Sequence, residues 1–263
     1  MRATTTETLP TTRLPRLTLC ELRDASAHGV ESHSPFCLKT HRVLGALGLS
    51  YERRHFAHPG QLGALNPLGQ VPVLLIGEEA VADSSRIAAR LEALAGRTLD
   101  GGALDAQARA EAWLWEELAD SALNGFLVAA RWADDANWPA VRDAYFADMP
   151  ALLRAFVPGR IRARVIGNLV ARDVWRAGPD ACWERLEGLL DHLETRAPRE
   201  GYWMHPRAIS IADVALFGQL RSLCTPLTPR QSERVRARGA LSAWIDRVDA
   251  ATQPSAARML AAA

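Results

Sequence analysis

The stretch SPFC, residues 34–37, places a hydroxyl and a thiol on either side of a proline and a phenylalanine, at the start of a helix-like run. The N-terminus of a helix offers unpaired backbone N–H groups and a partial positive charge, so it favours an anion such as a thiolate. Pro35 suits the first helical turn because its missing N–H is not needed there. Ser34 is therefore either an ordinary helix cap or a hydrogen-bond donor to a thiolate held at this end.

The energies involved are large enough for the second interpretation. A thiol of ordinary pKa, about 8.5, is only a few per cent ionised at neutral pH, and lowering that pKa by two units requires about 2.7 kcal/mol. A helix N-terminus contributes up to about 2 kcal/mol and a hydroxyl donor about 1.5–3 kcal/mol. Cys37, one turn further along, is either a reactive thiol, if it is exposed, or a packing residue.

The elements around this stretch alternate between strand and helix. The hydrophobic patterns predict strands at 17–23 and 51–56, and a hairpin formed by the segments QVPVLLIG and EAVAD. They also predict helices at 35–48 and 84–96, the first of which ends at Gly48. This order predicts a mixed four-stranded sheet with helices on its faces.

Strand signals nearly vanish beyond the polar, glycine-containing stretch 96–105. The rest of the chain is predicted to form an all-helical domain of about five or six helices. Helical periodicity covers residues 105–131, 138–156, 180–196, 210–222 and 240–250. Breaks are expected at Pro139, Pro158, Pro179, Pro198, Pro226 and Pro229. The Arg-rich stretch 160–176 is either a helix lying on this bundle or a membrane-surface or partner-binding helix.

Composition argues against several classes of function. The net charge is +1, from 31 Lys and Arg against 30 Asp and Glu, which gives no sign of a nucleic-acid partner. No apolar run reaches the roughly 18 residues that a membrane span needs, and the N-terminal segment lacks the apolar part of a secretory signal. Four widely spaced cysteines without a CxxC pair predict reduced thiols in a cytosol, and no His/Cys cluster has the spacing of a zinc site.

Three motifs follow SPFC along the chain: NPLGQVPVL (66–74), ADSSRIAARL (82–91) and, in the helical part, SIADVALFGQL (210–220). In this order and spacing the four motifs resemble the soluble glutathione transferase family, and the resemblance covers nearly the whole chain. The serine of the first motif and the long loop before it look most like the bacterial β-etherase-like members of that family.

The resemblance implies a thioredoxin-like α/β domain, with a mixed four-stranded sheet, followed by an all-α domain. It also implies a homodimer. Together with the composition, which argues against nucleic-acid, membrane and metal partners, the sequence predicts a cytoplasmic protein. The corresponding division of the chain is a flexible tail at 1–16, the thioredoxin-like domain at 17–97, a linker at 98–104, the helical domain at 105–255 and a tail at 256–263.

For function, the resemblance implies transfer of glutathione, a co-substrate, to an electrophilic apolar or aromatic small molecule. Ser34 is expected to donate a hydrogen bond to the glutathione thiolate. A cis Pro72 is expected to turn the backbone of Val71 toward the cysteinyl residue, as an added strand. Ser84 and Asp83 are expected to hold the carboxylate and the ammonium of the γ-glutamyl end, unless they only cap a helix. The implied glutathione contacts are Phe36, Gln70, Val71, Pro72, Asp83 and Ser84.

Two other functions stay open. The first is glutathione-dependent thiol/disulfide exchange or reduction through Cys37. The second is a non-catalytic protein of the same fold that binds ligands or partners. Retention on immobilised glutathione separates the second alternative from both enzymes.

Several residues outside these contacts have an expected role in folding or near the site. Ser210 and Asp213 have capping-box spacing and are expected to serve folding. The candidates for tuning or contacting the site are His33, His41 and Arg53. Trp113, Trp115 and Trp132 either pack in the core or line an aromatic substrate pocket or a dimer seam, and for each of them core packing is the simpler interpretation.

Overall fold

The computed structural model describes residues 14–23, 29–255 and the backbone of 259–261. Most of the two expected tails, and part of the loop at 24–33, therefore lie outside the described residues. Among the residues that are described, no helix has both the length and the apolar character needed to cross a bilayer.

The sheet contains the four predicted strands and one more. The strands β1 (Leu17–Leu22) and β2 (Tyr51–Phe56) are parallel, and the hairpin strands β3 (Val73–Ile76) and β4 (Glu79–Ala82) follow, with β3 antiparallel to β1. These four strands confirm the predicted mixed sheet. A fifth strand, β5 (Met259–Ala261), pairs in parallel with β2 and gives the order β4-β3-β1-β2-β5. The sequence analysis places these last residues in a tail.

Two helices, α1 (Pro35–Leu47) and α2 (Ser84–Ala95), pack on this sheet through a core of leucine, isoleucine and valine side chains. Each helix begins after a residue whose side chain accepts a hydrogen bond from the helix backbone. Each ends at a glycine in the left-handed region, Gly48 at φ 70° and Gly96 at φ 65°. Glycine is favoured there because a Cβ would crowd the following carbonyl.

The remainder of the described chain, apart from β5, is helical. Its helices are α3 (Ala106–Glu117), α4 (Asn124–Val128), α5 (Trp138–Tyr145), α6 (Ala151–Arg154), α7 (Val157–Ala171), α8 (Gly178–Arg196), α9 (Ile211–Leu223), α10 (Pro229–Arg236) and α11 (Gly239–Thr252). Two π-helical segments, Leu118–Leu123 and Ala129–Ala133, extend α3 and α4. The helix predicted at 105–131 therefore continues over that whole length.

Prolines in this part of the chain begin helices more often than they break them. Pro139, Pro158, Pro179 and Pro229 lie in the first turns of α5, α7, α8 and α10. Proline is tolerated there because the N–H it lacks has no intrahelical partner. Pro229, expected to be a break, instead starts α10, a helix that the sequence analysis does not predict.

The Arg-rich stretch forms α7, which packs on the helical bundle. Val165, Ile166 and Leu169 of α7 lie against the bundle core. Arg162 donates to the backbone carbonyl of Trp132 at 2.7 Å and forms an ion pair of 2.6 Å with Asp135. The interpretation of this stretch as a helix lying on the bundle is confirmed.

Two glycines allow the bundle to come close to α1. A Cβ on Gly218 of α9 would lie 2.9 Å from the carbonyl oxygen of Pro35, at the start of α1. A Cβ on Gly45 of α1 would lie 2.1 Å from the carbonyl oxygen of Thr252, at the end of α11. Both distances are too short for any side chain, so these contacts require glycine.

Asp213 anchors the start of α9. It forms the expected capping box with Ser210, and its side chain is fully buried. The carboxylate also accepts hydrogen bonds from the backbone N–H of Trp203 at 2.7 Å and from the indole N–H of Trp244 at 3.1 Å. One buried carboxylate thus satisfies donors from three segments of the bundle.

Replacing Asp213 by alanine should therefore destabilise the fold strongly. The change leaves buried donors of Ser210, Trp203 and Trp244 without an acceptor, at about 1–3 kcal/mol for each, so the free energy of unfolding should fall by about 3 kcal/mol or more. Urea denaturation followed by tryptophan fluorescence measures the loss. The control is Asp180→Ala at the exposed start of α8, which should cost less than about 1 kcal/mol. Equal losses in the two variants would contradict this role for Asp213.

Candidate functional site

Ser34 caps α1 and keeps its hydroxyl proton available. Its backbone is extended, with φ −75° and ψ 119°, and its Oγ accepts a hydrogen bond from the Cys37 N–H at 3.3 Å. The Ser34 N–H in turn donates to the Oγ of buried Ser32 at 3.3 Å. The capping bond uses a lone pair of the Ser34 oxygen, so the O–H can still donate to another partner. Capping and donation to an anion are therefore compatible at this residue.

The peptide bond between Val71 and Pro72 is cis, as the family resemblance implies, and directly precedes β3. A buried asparagine shapes the loop that leads to it. The Asn66 amide donates to the carbonyl of Gln70 at 2.9 Å, and its Oδ1 accepts from the N–H of Leu68 at 3.1 Å. Asn66 belongs to the motif NPLGQVPVL, but the sequence analysis assigns it no role.

Asp83 caps α2 from an unusual backbone conformation. Its φ is +81°, a region that residues other than glycine rarely adopt and that is over-represented at functional sites. Its Oδ1 accepts hydrogen bonds from the N–H groups of Ser85 and Arg86, both at 3.0 Å. Asp83 is exposed, whereas Ser84 is only 5% exposed.

The sheet register brings the three motifs to one end of the sheet. Val73, the first residue of β3, pairs with Cys20 near the end of β1 and with Ala82 at the end of β4. The cis peptide bond before β3 therefore lies beside the end of β4, where Asp83 and Ser84 follow. The chain also leaves β1 at this end of the sheet and leads from there to α1. The residues predicted for the site thus share one end of the sheet.

A buried lysine joins the helices that carry these residues. Lys39 of α1 is 1% exposed, and its Nζ donates to the Ser85 Oγ at the start of α2 at 3.1 Å. It also donates to Glu116 at 2.5 Å and to Asp120 at 2.6 Å, both in the helical part. Burial raises the pKa of Asp120, against the opposing effect of the Lys39 charge. Breaking these contacts would leave a buried charge unpaired, which is costly, so Lys39 holds α1, α2 and α3 together.

A second buried network lies under α1. Glu21 of β1 is fully buried, accepts a hydrogen bond from Arg53 Nε at 2.5 Å and lies 3.2 Å from His41 Nε2. The other ring nitrogen of His41 lies 2.6 Å from the Tyr51 hydroxyl. Arg53 also donates to the carbonyl of Glu31, in the segment that leads into α1, at 2.7 Å. His41 and Arg53, considered as site-tuning residues, belong to this network.

The four cysteines, all among the described residues, form no disulfide with one another. Cys37 is fully buried, although it lies only one turn inside α1. Burial raises the pKa of the Cys20 thiol to about 11 and that of the Cys182 thiol to about 12. Buried cysteines are poor nucleophiles, so the packing interpretation of Cys37 fits the structure better than the reactive one.

An aromatic cluster lies beside the entrance to α1. The Trp132 ring is 5.6 Å from the rings of Trp138 and Tyr145, and the Tyr145 ring stacks on that of His33 at 5.7 Å. His33 directly precedes Ser34 in the chain. The cluster therefore adjoins the proposed position of a thiolate.

A cavity of about 440 Å³ lies between α2, the linker and α3. Its lining residues include Ser85, Asp100, Arg109, Trp113 and Glu116, but not Ser34 or Val71. It is therefore separate from the hydroxyl at the start of α1. Trp113 and its neighbour Leu114 are exposed on α3, whereas Trp115 packs edge-on against buried Trp203 at 5.2 Å.

Comparison with known proteins identifies the fold. Residues 35–137 match the model of the glutathione S-transferase N-terminal domain. No curated protein sequence matches the chain. Among solved structures, the β-etherase LigF from Sphingobium sp. strain SYK-6 is 21% identical, with a TM-score of 0.61 over 89% of this chain and 95% of that one. The chain has the glutathione S-transferase fold.

Two further structures share this transferase fold. Glutathione S-transferase III in its apo form is 21% identical, with a TM-score of 0.57 over 90% of this chain and 94% of that one. A glutathione S-transferase from Xanthobacter autotrophicus Py2 is 18% identical, with a TM-score of 0.56 over 91% and 95%. At these identities the likeness concerns the fold.

Several residues that organise the site in this transferase fold are missed by sequence reasoning. One of them carries a signal: Lys39 is the only lysine among the 31 Lys and Arg residues of the chain. The others look like ordinary polar residues, because their partners are distant in sequence. They are Glu21, Ser32, Asn66, Ser85 and Arg131.

The Glu21 network makes stability depend on pH. Burial alone would raise the pKa of Glu21, but hydrogen bonds from His41, His55 and Arg53 outweigh burial and hold that pKa well below its ordinary value. Because the folded pKa lies below the unfolded value of about 4.3, the ionised carboxylate stabilises the fold above that pH. This stabilisation is lost as the pH falls toward the folded pKa.

We therefore expect Glu21→Gln to lower the free energy of unfolding near neutral pH by about 3–5 kcal/mol, because Arg53 loses its buried carboxylate. Urea denaturation near pH 7 and at successively lower pH measures the effect, and the difference between wild type and variant should shrink below about pH 4.3. Glu79→Gln, which breaks an exposed 3.0 Å pair with Arg90, is the control and should change stability by less than about 1 kcal/mol. A difference that does not vary with pH would refute the lowered pKa.

Proposed function

We propose that this protein is a glutathione transferase that holds the glutathione thiol as a thiolate beside Ser34. One observation carries the proposal. The hydroxyl of Ser34, the backbone before cis Pro72 and the pair Asp83–Ser84 lie at the same end of the sheet. The positive end of α1 and the available Ser34 proton both favour the ionised thiol. Together they are sufficient to lower its pKa by about two units.

The rest of the glutathione molecule has partners at the same end of the sheet. The backbone of Val71 pairs with the cysteinyl residue in the manner of an added strand. The N-terminus of α2 and Ser84 hold the γ-glutamyl carboxylate. Asp83 binds the ammonium through its second oxygen, since both capping bonds use Oδ1. Exposed Gln70 and half-buried Phe36 provide the remaining contacts.

The reaction is attack of the thiolate sulfur on an electrophilic carbon. A C–S bond forms, the departing group or an adjacent acceptor atom takes the electron pair, and the thiol proton has already passed to solvent. Stabilisation of the thiolate and alignment of the two reactants supply the rate enhancement. The cluster of His33, Tyr145 and Trp132 beside Ser34 supports an apolar or aromatic acceptor.

Exchange through Cys37 is less well supported, because the attacking thiol in such a reaction must be accessible and ionised. Cys37 is fully buried and its backbone N–H is bonded to the Ser34 oxygen. The burial of this side chain favours the transferase over the oxidoreductase.

Ser34→Ala should lower kcat/KM with an activated aryl halide by about 10- to 100-fold, the loss of one hydrogen bond to a charged sulfur of about 1.5–3 kcal/mol. Glutathione affinity should change little, because the peptide keeps its contacts with Val71 and with the start of α2. Steady-state kinetics and retention on immobilised glutathione measure the two quantities. Cys37→Ser is the matched control, one turn away, and should keep its activity.

The outcomes separate the three candidate functions. A folded Cys37→Ser variant without activity would favour the oxidoreductase. A wild-type protein that is retained on glutathione but turns over no electrophile would be a binding protein. A wild-type protein that is not retained would refute the proposed site.

We further propose that the protein forms a homodimer with a seam on α3. Trp113 and Leu114 are adjacent there and are 54% and 61% exposed. Trp113 also lines the cavity between α2 and α3, so a partner side chain has a recess to enter. Large apolar side chains that stay exposed on one helix favour an interaction surface there.

Trp113→Glu should convert the dimer into a monomer, because it puts a charge into an apolar seam. Sedimentation velocity at micromolar concentration measures the change. Leu152→Glu is the control, since Leu152 is 78% exposed but lies on α6, and this variant should stay dimeric. A monomeric wild type, or an unchanged dimer in Trp113→Glu, would rule out this seam.

A further inference from the structure

Arg131 is buried in the π-helical segment that follows α4. It is only 3% exposed, and its guanidinium makes three hydrogen bonds to oxygen atoms. The bonds go to the carbonyl of His33 at 2.5 Å, to the hydroxyl of Tyr145 at 2.8 Å and to the carbonyl of Ser222 at 2.9 Å. One side chain therefore ties the segment before α1 to α5 and α9.

The guanidinium of Arg131 forms no ion pair with any carboxylate of the described residues. None of the ion pairs between described residues includes Arg131, and all three of its hydrogen-bond acceptors are neutral. Two other arginines have a carboxylate partner: buried Arg42 pairs with Glu31 at 2.9 Å, and half-buried Arg162 pairs with Asp135 at 2.6 Å. A buried cation without a counter-charge is costly, and an anion bound nearby reduces that cost.

Arg131 also fixes the peptide bond that leads into Ser34. The carbonyl side of that bond accepts from Arg131, and the N–H side donates to Ser32 Oγ at 3.3 Å. The peptide plane cannot rotate without breaking one of these bonds. Since this plane is attached to the Cα of Ser34, it sets the direction of the Ser34 side chain. By covalent geometry, the guanidinium lies within roughly 8 Å of the Ser34 hydroxyl.

We propose that Arg131 is a positioning residue for the thiol site, orienting Ser34 through the His33 carbonyl and stabilising the thiolate with its unbalanced charge. This inference rests on the function proposed above. At an effective dielectric constant of about 20, a unit charge about 10 Å from the sulfur shifts the thiol pKa by about one unit. The thiolate supplies the counter-charge that no ion pair among the described residues provides for Arg131.

The test is a pH titration of glutathione bound to wild type and variants, read from the ultraviolet absorbance of the thiolate. Arg131→Gln removes the charge but keeps a donor for the His33 carbonyl, so it should raise the thiol pKa by about one unit. Arg131→Lys keeps the charge but loses the planar fork, so it should leave that pKa in place and lower kcat several-fold. Arg162→Gln is the matched control, because that arginine has its own carboxylate, and both quantities should stay at the wild-type values.

The results distinguish this inference from the function on which it rests. An unshifted thiol pKa in Arg131→Gln, together with a raised one in Ser34→Ala, overturns the role of Arg131 and leaves the transferase standing. A wild-type protein whose bound glutathione shows no lowered thiol pKa overturns both. If circular dichroism shows that Arg131→Gln does not fold, Arg131→Lys decides: an unlowered kcat overturns the positioning role.

Discussion

The buried ammonium of Lys39 is the contact on which the geometry of the site depends most. It is the only lysine of the chain, and it is held by Glu116, Asp120 and the hydroxyl of Ser85 at the start of α2. A compact ammonium with three donors meets three acceptors at once, which the flat fork of an arginine cannot do in the same space. Because a single charge anchors both helices, the hydroxyl before α1 keeps its position relative to the acid–serine pair before α2.

Ser34 is consequently held from three directions. The Glu21 network supports α1 from the sheet, the Lys39 cluster supports it from α2 and α3, and Arg131 reaches it from the bundle. Gly218 adds a close backbone contact at the first residue of α1. In the proposed function, a hydroxyl fixed in this way loses little orientational freedom on binding the thiolate, and a hydrogen bond contributes most to a reaction under that condition.

Features that depend on a few consecutive residues could be predicted from the sequence. The caps at Ser34 and Asp83, the left-handed Gly48 and the strands of the hairpin all follow from local patterns. The partners that hold the site could not. Glu116 meets Lys39 across 77 positions of the chain, and no local pattern records such a pair. The strand β5 has only three residues, too few for a periodic signal, and depends on the neighbouring strand to form.

The two edge strands of the sheet are short, and this affects the tendency of the protein to aggregate. A long edge strand exposes a row of unpaired amide groups that recruits strands from other molecules. Here the three-residue β5 pairs with the six-residue β2 and forms one edge, and the four-residue β4 forms the other. The segment that covers β2 follows α11, whose end touches α1 at Gly45, so it reaches the sheet from the far end of the chain. Protection of β2 against lateral fibril growth therefore depends on a segment that the whole helical part separates from it in the sequence.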